Sequence, residues 1–93
     1  MPHELHRIVD FQILRTGVVR VVFMDATTRI IDLAPVLRGP LYGALADAAM
    51  FGKVALDPVA GTLTWPNGAD FDPETLYHWS RYEEHLRERA ESW

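Results

Sequence analysis

Carboxylates crowd one short stretch of this sequence, where Asp70, Asp72 and Glu74 occupy alternate positions. Carboxylate oxygens are the ligands that a calcium ion takes from an EF-hand loop. A loop that began at Asp70 would need glycine at its sixth position and an acidic residue at its twelfth. The sequence has Thr75 and Arg81 there, whereas turn formation and helix capping account for the same carboxylates. We therefore predict no calcium site.

The histidines and serines predict neither a metal centre nor a nucleophilic site. His78 and His85 are seven residues apart, about two helical turns, which is too far for one ion without other ligands. His3 and His6 fall in an N-terminal segment that we expect to be loose, and surface positions are typical of histidine. Both serines lie near the C-terminus without an elbow motif, and cysteine is absent. We predict no catalytic residue, no metal and no cofactor.

Small-ligand binding is a hypothesis for the segment around Trp65-Pro66-Asn67-Gly68. The candidate residues are Trp65, Asn67, Asp70 and Tyr77. The two aromatic rings could form a platform, although an aromatic residue beside a hairpin more often belongs to the core. A concave pocket with convergent carboxylates would favour a ligand-binding protein or an enzyme.

Length, composition and charge indicate one small domain. The 93 residues carry a net charge of -4, and no apolar run is long enough to span a bilayer. No signal segment is evident, so we expect a cytoplasmic protein. Negative charge argues against binding to a phosphate backbone. A transcription-linked or nucleic-acid-associated regulator would need a basic patch built from Arg7, Arg15, Arg20, Arg29 and Arg38.

Apolar periodicity predicts the elements that position these residues. Strands with short connections, a short helix and a hairpin are expected before a C-terminal helix. The predicted ranges are 7–14, 18–23 and 29–33 for the first strands, 41–49 for the helix, and 53–57 and 62–65 for the hairpin. The resulting fold is an α+β domain of order β-β-β-α-β-β-α, with one five-stranded, largely antiparallel sheet and helices on one face.

The final helix has a well-defined predicted start. Asp72 is expected to be its N-cap and to accept free backbone N–H groups, Pro73 suits the first helical position, and Glu74 favours the positive helix end. A continuous helix from there to Trp93 would be about 30 Å long, which exceeds what short strands can cover.

An apolar stripe continues along that helix to the chain end. Its interface candidates are Trp79, Tyr82, Leu86 and Trp93. Because exposed apolar patches of this size are unusual on monomers, we predict a homodimer or a complex with a small protein partner. A chain truncated after Tyr82 is expected to fold as a monomer.

Residues 7–78 carry a recognisable set of motifs. They include Phe23, Asp25, Asp32-Leu33, Leu56-Asp57, Gly61-Thr62-Leu63, Trp65-Pro66-Asn67-Gly68, Asp70, Pro73-Glu74 and Leu76-Tyr77. The sequence thereby resembles a bacterial family of unknown function, the domain numbered 2442. Ala26 departs from the pattern, because the family usually has glycine there. Residues 79–93 would form a helical extension of a single domain 1–93.

This resemblance implies a β-rich α+β fold and no catalytic residue. It also implies an association with a second small protein, in an arrangement suspected to be toxin and antitoxin. Our preferred hypothesis is a cytoplasmic protein-interaction module, such as the antitoxin-like member of a pair. A nucleic-acid-associated regulator and a small-ligand-binding protein or enzyme are the alternatives.

Overall fold

The computed structural model describes residues 6–92 and contains two antiparallel sheets. Strands β1 (Ile8–Arg15), β2 (Val18–Phe23) and β3 (Thr28–Asp32) form a meander, and β4 (Ala55–Asp57) and β5 (Thr62–Thr64) form a separate hairpin. The α+β class is confirmed, but the predicted single five-stranded sheet is wrong.

The two sheets stay separate because the hairpin meets β1 at one end only. Its strands are three residues long, and the Ile8 N–H donates to the Gly61 carbonyl over 2.9 Å. The register of β1 against β2 shifts directly after Ile8, so this contact does not extend into a continuous ladder. Strand periodicity therefore predicted where the strands lie in the sequence, but not which strands pair with one another.

Side-chain alternation gives the meander one core face and one open face. Val19 lies opposite Ile13 and Ile31, and this row faces the core. Arg20 lies opposite Gln12 and Ile30 in the next row, which faces away from the core. Opposed residues share a face of the sheet, so Ile30 projects from the open side.

The helical segments are short except for the last. They are α1 (Gly39–Tyr42), α2 (Ala48–Phe51), α3 (Pro73–Tyr77) and α4 (Trp79–Ala90), with 3-10 turns at Ala34–Val36 and Gly43–Ala46. The predicted helix 41–49 is divided at Asp47, whose extended backbone and side-chain bond to the Met50 N–H begin α2. Within residues 6–92, none of these helices has the length and apolar character to cross a bilayer.

The predicted continuous C-terminal helix is broken at His78. This residue has φ −103° and ψ 34°, which ends α3 before α4 begins. Segment α4 packs against the Ala34–Val36 turn. The tail thus folds back on its own domain instead of extending beyond it.

The predicted cap at the start of α3 is correct in position but wrong in mechanism. Asp72 is the N-cap residue, Pro73 occupies the first turn and Glu74 is the acidic residue there. The Asp72 carboxylate accepts no capping bond from a backbone N–H; instead the Thr75 hydroxyl approaches it at 3.4 Å. The Glu74 carboxylate points to the N-terminal segment, where it bonds His6.

The turn between β2 and β3 keeps the backbone shape that a glycine would favour. Ala26 has a φ of 73°, the left-handed region that costs a residue with a Cβ about 1–2 kcal/mol. The turn is closed by bonds from Ala26 N–H to Phe23 O and from Phe23 N–H to Thr27 O. The substitution therefore introduces local strain without lengthening the turn.

Candidate functional site

Two imidazoles and a carboxylate meet where the N-terminal segment crosses α3. Nδ1 of His6 lies 2.7 Å and 2.9 Å from the two carboxylate oxygens of Glu74. Nε2 of His78 lies 3.9 Å from Oε1 of Glu74. The three ligand atoms are within 4.8 Å of one another, and each residue is half-buried. We call these three residues the His–Glu–His cluster.

The cluster is assembled by one helical turn and one anchored strand. Glu74 lies in the first turn of α3 and His78 directly follows its last residue, so the four-residue spacing places their side chains on the same face. His6 lies two residues before the start of β1, and its own N–H donates to Oε2 of Glu74 over 2.6 Å. Arg7 then donates to the carbonyls of Pro58 and Val59 at the hairpin tip.

Gly61 allows this close approach of the hairpin to the N-terminal segment. Its φ is +67°, and a Cβ there would lie only 3.0–3.1 Å from side-chain atoms of Arg7. Its carbonyl accepts the Ile8 N–H. Both the backbone conformation and the space therefore favour glycine at the position that aligns His6 with α3.

Aromatic contacts fix the ring of His6. It stacks on Tyr77 with a centroid distance of 3.5 Å and an interplanar angle of 20°. The Tyr77 ring also meets Phe23 edge-on at 4.9 Å, and its hydroxyl donates to Asp25 over 2.7 Å. The His6 imidazole is thus held on one side by Tyr77 and at Nδ1 by Glu74.

The electrostatics of the cluster favour an ionised carboxylate. Burial by itself would raise the pKa of Glu74, but this effect is outweighed by hydrogen bonds from the His6 ring and backbone N–H. Positive charge on His6 and His78 acts in the same direction, so the net pKa of Glu74 lies below its usual value. A negatively charged oxygen is therefore available between the two imidazoles.

A cavity of about 450 Å³ opens beside the cluster. His6 and Glu74 form part of its wall, together with Arg7, Asp70 and Asp72. The carboxylates Asp70, Asp72 and Glu74 all contribute to this wall. Its chemistry comes from histidine and carboxylates, and the predicted aromatic platform does not line it.

The four predicted ligand-binding residues are dispersed in the structure. Trp65 is buried in the core, where its Nε1–H donates to the Phe51 carbonyl over 3.1 Å. Asn67 bonds the Leu41 carbonyl and the Ala69 N–H. Asp70 lines the cavity, while Tyr77 supports His6.

The predicted interface residues divide between core and surface. Trp79 is buried, and Leu86 is half-buried against the core. Tyr82 is 39% exposed. Trp93 lies outside the described residues. Within the described range, Tyr82 is thus the stripe residue that α4 presents to solvent.

Three of the five arginines that could form a basic patch bond the protein itself. Arg7 bonds carbonyls of the hairpin tip, and Arg20 donates to Gln12 over 2.5 Å. Arg29 donates to the Tyr77 carbonyl and lies over the Tyr77 ring. The three arginines lie in different parts of the fold, Arg7 before β1, Arg20 in β2 and Arg29 in β3.

The sequence interpretation missed the His–Glu–His cluster because it compared histidines only with one another. The sequence did contain one signal for this cluster. Glu74 and His78 are four residues apart, which is the spacing of neighbours on one face of a helix. His6 is 68 residues from Glu74 and was assigned to a loose end. Its position follows from the attachment of β1 to the hairpin, which periodicity does not encode.

We predict that a tyrosine controls the acidity of Asp25. The Tyr77 hydroxyl, followed by the backbone and side chain of Thr27, lowers the pKa of Asp25 from 3.8 to about 2. The unfolded chain therefore binds a proton at higher pH than the folded chain. The stabilisation is fully present above the unfolded pKa and is lost as the pH falls through the folded value.

The substitution Tyr77→Phe should raise the pKa of Asp25, which NMR titration of its carboxyl carbon measures. Tyr42→Phe is the matched control, because the Tyr42 hydroxyl donates to the Asp70 carbonyl instead. An unchanged titration in Tyr77→Phe would contradict the assignment.

The architecture defines a small α+β domain, in which a meander, a helical connection, a hairpin and a pair of terminal helices follow in order. Residues 8–82 match the family model described as "Protein of unknown function (DUF2442)". The chain belongs to this family. Neither a curated protein nor a solved structure matches the chain.

Proposed function

We propose that this chain is a protein-binding module that pairs with a second copy of itself through strand β3. The observation that carries the proposal is Ile30, which is 66% exposed in the middle of an edge strand. An edge strand offers unpaired backbone N–H and carbonyl groups, and an exposed β-branched residue adds apolar contact.

The sequence and register of β3 favour pairing with another strand over protection of the sheet edge from such pairing. Its residues Thr28–Asp32 contain no proline or lysine, and the two charged residues Arg29 and Asp32 would face Ile31 and Thr28 of a paired copy. It pairs with β2 in a regular register without a bulge. Such a strand is straight enough to accept another strand through main-chain hydrogen bonds.

The sequence of β3 is compatible with itself in an antiparallel arrangement. About a twofold axis at Ile30, each Ile30 would face its own copy. Thr28 would face Asp32, whose carboxylate can accept a bond from the threonine hydroxyl. Arg29 would face Ile31, so no like charges meet. Residues would keep their faces, and two three-stranded sheets would become one continuous sheet.

An antitoxin-like role would use the same surface. The family resemblance suggests an association with a second small protein, and a free edge strand can pair with a strand of a different chain as well as with its own copy. The self-pairing is proposed first because the register above is self-complementary.

Light scattering over a concentration series tests the proposal. The wild-type chain should form dimers, and Ile30→Lys should weaken dimerisation by at least about tenfold, since 1.4 kcal/mol is sufficient for that change. Val59→Lys is the matched control, because Val59 is 85% exposed at the hairpin tip, away from β3. Circular dichroism verifies that each variant is folded.

Two results would overturn pairing through β3. One is a wild-type chain that remains monomeric at hundreds of micromolar. The other is a dimer that persists in Ile30→Lys and dissociates in Tyr82→Ala, which would place the interface on α4 as the sequence pattern predicted.

A further inference from the structure

We propose that His6, Glu74 and His78 form a binding site for a divalent transition-metal ion, with zinc as the best match. Two imidazoles and one carboxylate are the three-ligand set of many zinc sites that keep a further position open. Nitrogen donors distinguish this site from the all-oxygen sites that magnesium and calcium prefer. The inference is independent of pairing through β3.

The distances are compatible with a single ion after small side-chain movements. With zinc bonds of about 2.0–2.1 Å, the ligand atoms of a tetrahedral site lie about 3.3 Å apart. Here Oε1 of Glu74 lies 2.9 Å from Nδ1 of His6 and 3.9 Å from Nε2 of His78, one distance below and one above that separation. Zinc binding would therefore require small rotations of the Glu74 and His78 side chains.

The surrounding structure pre-organises two of the ligands, His6 and Glu74, in the absence of an ion. The His6 ring is stacked on Tyr77, and its backbone N–H bonds Glu74. Glu74 lies in α3, one turn before His78, so the helix itself sets the separation of this pair. Ligands that are already ordered lose less conformational entropy on binding.

The cavity supplies access to the ion. His6 and Glu74 both belong to its wall, so an ion held by them would face the cavity. Water can occupy the coordination position that the protein leaves open.

A purely structural pair is the competing explanation. His6 and Glu74 already satisfy one another through hydrogen bonds that tie the N-terminal segment to α3. His78 separates the two explanations, because 3.9 Å from Glu74 is longer than a hydrogen bond. Removing its ring leaves the His6–Glu74 pair intact but removes one zinc ligand.

Isothermal titration with zinc chloride on the untagged, chelator-treated chain tests the proposal. We expect one zinc ion per chain. His78→Gln should weaken the affinity by at least about 100-fold, because the loss of a ligand exceeds the 10–100-fold effect of losing a residue that only orients one. His85→Gln is the matched control, since His85 is an exposed histidine of α4 outside the cluster, and its affinity should equal that of the wild type.

Spectroscopy locates the ion. Zinc should shift the imidazole NMR resonances of His6 and His78 and leave those of His85 in place. The melting temperature of His78→Gln in chelator should equal that of the wild type, which shows that the fold is retained. Equal zinc affinity in wild type and His78→Gln would overturn the site. The site would also be overturned if His3→Gln abolished zinc binding and His78→Gln retained it.

Discussion

Replacing Trp65 by alanine is expected to lower the free energy of unfolding by about 3–5 kcal/mol. Trp65 is 4% exposed, and its ring lies between Phe51 and Phe71 at centroid distances of 5.6 Å and 5.9 Å. Its indole N–H also donates to the Phe51 carbonyl over 3.1 Å. The substitution leaves a cavity at the junction between α2, the hairpin and the segment before α3.

Urea denaturation monitored by circular dichroism measures this loss, and Trp65→Phe separates its two parts. Phenylalanine keeps an aromatic ring but cannot donate to the Phe51 carbonyl, which costs about 1 kcal/mol in addition to the smaller ring volume. A Trp65→Ala variant as stable as the wild type would show that the residue is retained for binding and does not support the core.

Local sequence signals were sufficient for the meander and for the start of α3. The predicted strand 18–23 is β2 with the same bounds, and its residues Val19 and Val21 lie in the core. At α3, the Asp72-Pro73-Glu74 sequence predicted the first turn, because proline restricts where a helix can begin. These features depend on neighbours in the sequence.

Pairings over long sequence separations could not be predicted in the same way. The bond from Ile8 to Gly61 attaches the hairpin to the start of β1, and it joins residues 53 positions apart. The same attachment brings His6 to Glu74. Since no local pattern distinguishes a histidine at a loose end from one anchored to a helix, the His–Glu–His cluster required the fold.

The C-terminal segment is not the predicted continuous helix, because His78 separates α3 from α4. The stripe does pack within the domain, but against the Ala34–Val36 turn, after a change of direction at His78. A helical stripe identifies the face that is buried without identifying what covers it. Among the described stripe residues, Trp79 is buried, Leu86 is half-buried and Tyr82 is 39% exposed.

The second large effect is expected at Trp79, where alanine should lower the free energy of unfolding by about 3–5 kcal/mol. Trp79 is 6% exposed at the first turn of α4 and belongs to the same core as Val36 and Ala90. Its loss should release α4 from the domain. Hydrogen exchange would then show faster exchange along α4 than in β2, while urea denaturation gives the overall change.

Phenylalanine at the same position should be tolerated better than at Trp65. Within residues 6–92, the Trp79 indole N–H is the one buried side-chain polar atom without a hydrogen-bond partner. Trp79→Phe removes an unpaired donor, so it loses ring volume but no bond. Its cost should be about 1 kcal/mol smaller than that of Trp65→Phe, the size of one net hydrogen bond. Equal costs at both positions in parallel urea titrations would contradict this assignment, because they would mean that the Trp79 N–H has a partner in solution.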